Sequence, residues 1–177
     1  TDGMDITTQG DDLRQTRKFL LELLLATPYG DCVAPCSVKC PANVDIQGYL
    51  AHIRHGEYEE AIRLIKEKIP MPATIGRVCP HTCETACRRH LVDEPIGINL
   101  CKRFVSDFEL KSGVRFLPQV PAPSGRRVAI VGGGPAGLSV AYYLRVLGHT
   151  STIFEARDVI AGMMRLVPVF RLPWEVI

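Results

Sequence analysis

Cys32-Val-Ala-Pro-Cys36-Ser-Val-Lys-Cys40-Pro41 and Cys79-Pro80-His-Thr-Cys83-Glu-Thr-Ala-Cys87 together hold six of the seven cysteines of this 177-residue chain, and Cys101 is the seventh. Three residues separate successive cysteines within each group, and Cys40 and Cys79 each precede a proline. Two-cluster ferredoxins of bacteria group three cysteines closely and set a fourth just before a proline, that fourth thiolate reaching across to the other cluster. The pattern therefore points to a pair of iron–sulfur clusters. By the crossing rule Cys40 joins Cys79 and Cys83, while Cys87 joins Cys32 and Cys36.

Two other chemistries use cysteine at this density. A disulfide framework needs an oxidising compartment and is usual in short secreted chains, whereas these cysteines fall among helical patterns and no export signal opens the sequence. Structural zinc takes cysteines in fours, typically as CxxC knuckles, and the sequence contains no CxxC. Spacings of three suit a cluster, whose irons are spread over a wider cube than a single ion.

Outward from the cysteines, composition narrows the possibilities. Lys and Arg number 21 against 19 Asp and Glu, a net charge of +2, which carries no sign of a nucleic-acid or membrane-surface partner. The longest apolar stretch, residues 19–26, contains Glu22 and falls far short of the ~20 residues that span a bilayer. A cytoplasmic protein is expected. The chain opens on Thr1 and stops at Ile177 within what reads as a larger domain, so it is expected to be a piece of a longer protein.

Residues 11–26 read as a helix, with Asp11 and Asp12 at its start and Leu13, Leu20, Leu21 and Leu24 at helical spacing. Pro28 and Gly30 end it. Asp45 reads as the cap of a second helix bearing Tyr49, Leu50 and Ile53 on one face. Gly56 interrupts it, and residues 57–68 form a third helix built on Ala61, Ile62 and Ile65. Pro70 and Pro72 break that helix and lead into the second cysteine group. Ile98, Cys101, Val105 and Phe108 share a face of a later helix, from which Cys101 can project toward the clusters.

Residues 111–126, with Gly113, Pro118, Pro121, Pro123 and Gly125, have the composition of a linker. Beyond it the pattern becomes α/β. Val128-Ala-Ile-Val131 is a buried strand running into Gly132-Gly133-Gly134-Pro135-Ala136-Gly137, a helix follows over 138–147, and Thr152-Ile153-Phe154 is a second strand ending at Glu155. The spacing of Gly132, Gly134 and Gly137 is GxGxxG, in which the first glycine makes the tight turn, the second admits a pyrophosphate and the third lets helix and strand pack closely. Phosphates would lie on the helix N-terminus, and Glu155 is placed to accept hydrogen bonds from ribose hydroxyls. An acid at this position disfavours a 2′-phosphate. FAD and NAD both fit the residues.

Cys36-Ser-Val-Lys-Cys40-Pro41, Asp45-Ile-Gln-Gly-Tyr-Leu50 and Gly76-Arg-Val-Cys79-Pro80 resemble the N-terminal iron–sulfur domain of the glutamate synthase small subunit, a module shared with dihydropyrimidine dehydrogenase and NADPH-linked ferredoxin oxidoreductases. The run from Val128 to Leu138, and then Phe154-Glu155-Ala156-Arg157, Ala161-Gly162-Met163 and Arg171-Leu172-Pro173, are similar to the start of the FAD domain in the same proteins. The resemblance implies an α-helical domain with two 4Fe-4S clusters over 28–110, followed, after the linker, by the first βαβ unit of a Rossmann-like FAD domain over 127–177. It favours FAD over NAD for a site comprising Gly132, Gly134, Pro135, Ala136, Gly137, Glu155, Ala156, Arg157, Gly162 and Met163, with NAD(P)H bound elsewhere in the parent protein. Residues 1–27 are similar to the junction that follows a 2Fe-2S ferredoxin domain in hydrogenase and NADH dehydrogenase subunits. Such a parent would be a subunit of a multi-cluster redox complex whose partners are other redox subunits.

The same resemblance places Cys101 with Cys40, Cys79 and Cys83, because the family draws its last ligand to that cluster from the same helix, commonly a glutamate or glutamine at the position of Lys102. The other cluster has three cysteines here, since the family's extra cysteine falls at Pro28 and Tyr29. Asp31 is then the nearest candidate for its fourth ligand, with His81, His90, a water or another subunit as alternatives, both histidines being read first as solvated helix residues. No residue has the look of a general acid or base. The expected function is electron relay within an iron–sulfur flavoprotein oxidoreductase, and the rival is a non-catalytic docking module that bridges redox subunits. FAD is expected to bind only where further chain or another subunit covers the two-stranded sheet.

Overall fold

The computed structural model describes residues 2–25, 32–113 and 115–177. They divide into two compact units, Thr1–Ala34 and Pro35–Ile177. The first is built on α1 (Asp11–Leu25), with Asp11 and Asp12 in its opening turn, where they complement the helix dipole. No residue of α1 is buried. The readings of Pro28 and Gly30 as helix terminators and of Asp31 as a ligand lie outside the described residues. Among the described residues no helix is long and apolar enough to cross a membrane.

The second unit begins with α2 (Pro35–Lys39), α3 (Ile46–His55) and α4 (Tyr58–Lys66). Asp45 caps α3, its Oδ1 accepting the Gly48 N–H at 2.9 Å. Glycine at position 48 leaves room for this cap, for a Cβ there would fall 2.4 Å from the same carboxylate and 2.6 Å from Leu64, and both side chains would have to shift. Gly56, at φ +78°, ends α3 in the left-handed conformation. The apolar stripe of α4 lies against α3 and α7, and Ala61, Ile62 and Ile65 are wholly buried beside Tyr49, Ile98 and Val105.

Pro72 does more than break the preceding helix. It occupies the first turn of α5 (Pro72–Val78), where its missing N–H would have had no partner and its fixed φ suits a helix start. Next come the single turn α6 (Thr82–Thr85), a 3₁₀ turn (Arg88–Leu91) and the long α7 (Ile98–Ser112). Ile98 and Val105 of the anticipated face are buried, whereas Phe108 is 39% exposed.

The expected linker residues 115–126 hold no helix or strand, yet Phe116 is buried. Its N–H donates to Glu109 Oε1 and its carbonyl accepts from Lys66 Nζ, each at 2.9 Å. Lys66 and Glu109 form a buried ion pair, so one charged couple pins the path of the chain as it leaves α7.

The α/β part comprises β1 (Arg127–Val131), α8 (Pro135–Val146) and β2 (Thr150–Phe154). The strands are parallel, with Arg127 opposite Thr150 and Val131 opposite Phe154. Gly148, at φ +78°, turns the chain from α8 into β2, which starts two residues before the expected Thr152.

Candidate functional site

Short helices present the cysteines. Cys36 lies on α2, Cys40 just beyond it, Cys79 caps α5, Cys83 lies on α6, Cys87 follows it and Cys101 is on the first turn of α7. A proline disfavours helical conformation in the residue before it. Accordingly Cys79 leaves α5 in extended conformation, at φ −63° and ψ 137°, ahead of Pro80. Thr82 Oγ1 donates to the Lys39 carbonyl at 3.0 Å and so ties α6 to the end of α2. This contact joins the two cysteine groups.

The electrostatics divide the thiols. Burial, then Glu84, Cys79 and Cys40, push the Cys83 thiol up to about 11, and Lys102 opposes them. Burial also raises Cys36, whose neighbouring thiol is Cys87. Cys101 is raised by burial and then by Glu84. The phenol of Tyr49, whose hydroxyl donates to the Ile98 carbonyl at 3.2 Å, is pushed far up by burial and by Cys83, Cys101, Cys40 and Cys36 around it. Cys83 thus neighbours Cys40 and Cys79, and Cys36 neighbours Cys87. Cys32 is exposed and belongs to the first unit.

Among the described residues no three Cys, His, Asp or Glu side chains converge closely enough to hold a single metal ion. Cys36, Cys40, Cys83 and Cys101 share a neighbourhood around Tyr49 rather than a point, and a soft donor set spread in this way fits a polynuclear iron–sulfur group, whose irons each take one thiolate. His81 Nδ1 lies 3.5 Å from the Glu84 carboxylate and His90 is exposed.

One residue outside the expected ligand set stands with the thiols. Lys102, 5% exposed, lines a cavity of about 360 Å³ together with Cys40, Cys79, Pro135 and Ser139. A lysine between Cys101 and an arginine carries no signal of burial in the sequence. Only the packing of α7 turns it inward.

In the glycine-rich turn each glycine has a distinct geometry. Gly132 stands at φ +97°, a conformation that side chains disfavour. A Cβ on Gly137 would lie 1.9 Å from the Gly132 carbonyl oxygen, so α8 sits directly on the end of β1. A Cβ on Gly134 would meet nothing within 4 Å, leaving the start of α8, with Pro135 and Ala136 exposed, open for an anion.

Glu155 is engaged by the turn itself. Its Oε2 accepts the Gly133 N–H at 2.7 Å and its Oε1 accepts the Arg157 N–H at 3.1 Å. These bonds, Gly133 first, hold the carboxyl below the usual carboxylate range. A carboxylate has about four acceptor positions, so capacity for ribose hydroxyls remains. Ala161 donates its N–H to the Gly133 carbonyl at 2.8 Å, and Gly162 packs so close that a Cβ there would stand 3.0 Å from Gly134 Cα. Ala156, Arg157 and Met163 are exposed.

Comparison with known proteins agrees with this division. Residues 29–114 match the family described as dihydropyrimidine dehydrogenase domain II, 4Fe-4S cluster, and residues 130–171 match the NAD(P)-binding Rossmann-like domain. The chain is 42% identical over 166 residues to the NADP(+)-dependent formate dehydrogenase subunit beta of Moorella thermoacetica, covering 81% of this chain and 24% of the relative. It is 42% identical over 144 residues to the NADPH-Fe(3+) oxidoreductase subunit beta of Geobacter sulfurreducens, covering 79% and 21%. With the NAD-dependent dihydropyrimidine dehydrogenase subunit PreT of Escherichia coli the identity is 37% over 147 residues, covering 81% and 35%. The chain spans about a fifth to a third of the length of these relatives. It thus joins a helical iron–sulfur domain, similar over residues 29–114 to dihydropyrimidine dehydrogenase domain II, to the parallel strand–helix–strand start of a Rossmann-like NAD(P)-binding domain.

Proposed function

We propose that this chain is the electron-relay part of an NAD(P)H-linked iron–sulfur flavoprotein oxidoreductase, working beside other redox subunits or domains in the cytoplasm. The observation that carries the reading is the sorting of the thiols, Cys83 with Cys40 and Cys79 and Cys36 with Cys87. It supports one 4Fe-4S site at Cys40, Cys79 and Cys83 and another at Cys36 and Cys87, to which the sequence reading adds Cys101 and Cys32 in turn. When bound, the clusters supply one-electron steps and the flavin links these to two-electron hydride chemistry.

Residues 28–110 act as the cluster domain, 111–126 as its connection and 127–177 as part of the flavin domain. The open backbone at Gly134 and the N-terminus of α8 hold the FAD pyrophosphate, and Pro135, Ala136 and Gly137 shape that end of the helix. Glu155 keeps the turn in form while accepting from the ribose, with Ala156, Arg157, Gly162 and Met163 lining the approach. Tyr49 and the surrounding core keep water from Cys83. The relatives, whose names pair NADP or NAD with formate, ferric iron or pyrimidine chemistry, support a nicotinamide-coupled relay and leave the terminal acceptor to the rest of the protein.

The test is anaerobic purification of the full-length protein with metal analysis. About eight irons belong to this region, and Cys83→Ser removes about four of them while the second cluster signal persists. Stoichiometric zinc without iron sinks the reading. Iron without flavin moves the assignment to the docking module.

A further inference from the structure

The molecule buries two lysines, and they are treated differently. Lys66 meets the Glu109 carboxylate and the Phe116 carbonyl. Lys102 is as deeply buried, yet among the described residues its ammonium makes no hydrogen bond or ion pair with the protein. The stem of Lys102 is enclosed and its ammonium opens on a cavity, where an opposite charge can meet it. The cavity that Lys102 lines has Cys40 and Cys79 in its wall and no carboxylate, and Cys83 feels Lys102 as its opposing charge. The wall of that cavity offers thiolates as its negative groups, and Glu84 is a carboxylate beside Cys83.

We propose that Lys102 is a positioning residue for electron transfer, its ammonium serving as the counter-charge of the cluster held by Cys40, Cys79 and Cys83 and making that cluster easier to reduce. The inference rests on the cluster assignment above. One-electron reduction by an external donor adds one negative charge to the thiolate-bound group, and no bond or proton has to move. A positive charge in a cavity walled by Cys40 and Cys79 stabilises that added charge more than it would in open water. Lys68 lines the same cavity but is exposed, where water screens it. The two lysines therefore differ in what they do to the same site.

The experiment is a redox titration of the full-length protein followed by electron paramagnetic resonance, for the wild type, Lys102→Met, Lys102→Arg and Lys68→Met. Lys102→Met is expected to disfavour reduction of the one cluster about tenfold, a fall of about 59 mV for one electron. The second cluster's signal stays in place, Lys102→Arg recovers most of the loss, and Lys68→Met moves the potential less. If Lys102→Met fails to assemble, Lys102→Gln against Lys102→Arg makes the same comparison, and equal potentials overturn the inference. An unshifted potential in an iron-loaded Lys102→Met protein overturns it too, as does loss of the signal in Lys102→Met with retention in Cys101→Ser, which would make the lysine nitrogen an iron ligand. A wild-type protein without iron refutes the cluster assignment instead, so the two failures are separable.

Discussion

The helical part and the α/β part of the second unit hold their shapes by different means. In the helical part Ala61, Ile62, Ile65, Tyr49 and Val105 are removed from water almost completely, and side-chain burial defines where α3, α4 and α7 sit. In the α/β part Val131 is 91% and Phe154 59% exposed, and of the two strands only Ile130 is buried. Parallel sheets are ordinarily covered on both faces, and one helix covers one face. The buried apolar cluster of this part, Ala161, Met164 and Leu172, lies after the strands, and the strand–helix turn itself is held by backbone fit: Gly132 at positive φ, Gly137 against the Gly132 carbonyl, and the Glu155 bridge. A shape held by apolar volume resists loss of a hydrogen bond and is sensitive to lost methylenes. A shape held by backbone fit has the opposite sensitivities.

The largest effect should come from Ile62→Ala, which empties volume where nothing can collapse inward. It is expected to cost about 2–5 kcal/mol, read by denaturant unfolding of the iron-loaded protein, with hydrogen exchange rising in α3, α4 and α7. A cost under about 1 kcal/mol would erase the contrast. Gly137→Ala adds a single methyl in the other part, yet backbone has to shift to receive it, at about 1–3 kcal/mol. Exchange there should rise at β1 and α8, and the full-length protein should lose its flavin while keeping its iron. Retention of flavin by Gly137→Ala would show that the turn is not held as tightly as the geometry says.

Removing the cap of α3 sharpens the comparison at lower cost. Asp45→Ala is expected to cost about 1 kcal/mol, seen as fraying of the first turn of α3, while the buried stripe of α4 holds the helix in place. The smallest effect concerns Glu155. Its carboxyl is held below the ordinary range, so its contribution is fully present above that range and fades as the pH falls through the lowered value. Amide exchange at Gly133, corrected for its intrinsic pH dependence, should lose protection in acid, and Glu155→Gln should remove that pH dependence. Unchanged protection at Gly133 in the variant would assign the turn to glycine geometry alone.

Much of the site was legible in the sequence because the constraints act over a few residues. Asp45 caps α3, Gly56 ends it, and the GxGxxG spacing demands a turn, an open approach and a close contact at positions 132, 134 and 137, all of which the backbone shows. Pro72 was legible as punctuation, but a proline ends one helix and starts the next by the same lack of an N–H. The sequence could therefore not tell a break from the opening of α5.

By itself the sequence determined the soft, cysteine-rich donor set, the helical periodicity around it and the dinucleotide turn, because each depends on residue type and near-neighbour spacing. Tertiary structure alone decided which thiols neighbour one another across α2 and α6, that four of them lie about Tyr49, that Phe116 anchors a segment with linker composition, and that Lys102 points inward. Those outcomes depend on how helices far apart in the chain pack against one another. Burial of a lysine or a thiol is set by the volume that other segments leave open, and nothing local in the sequence encodes that volume.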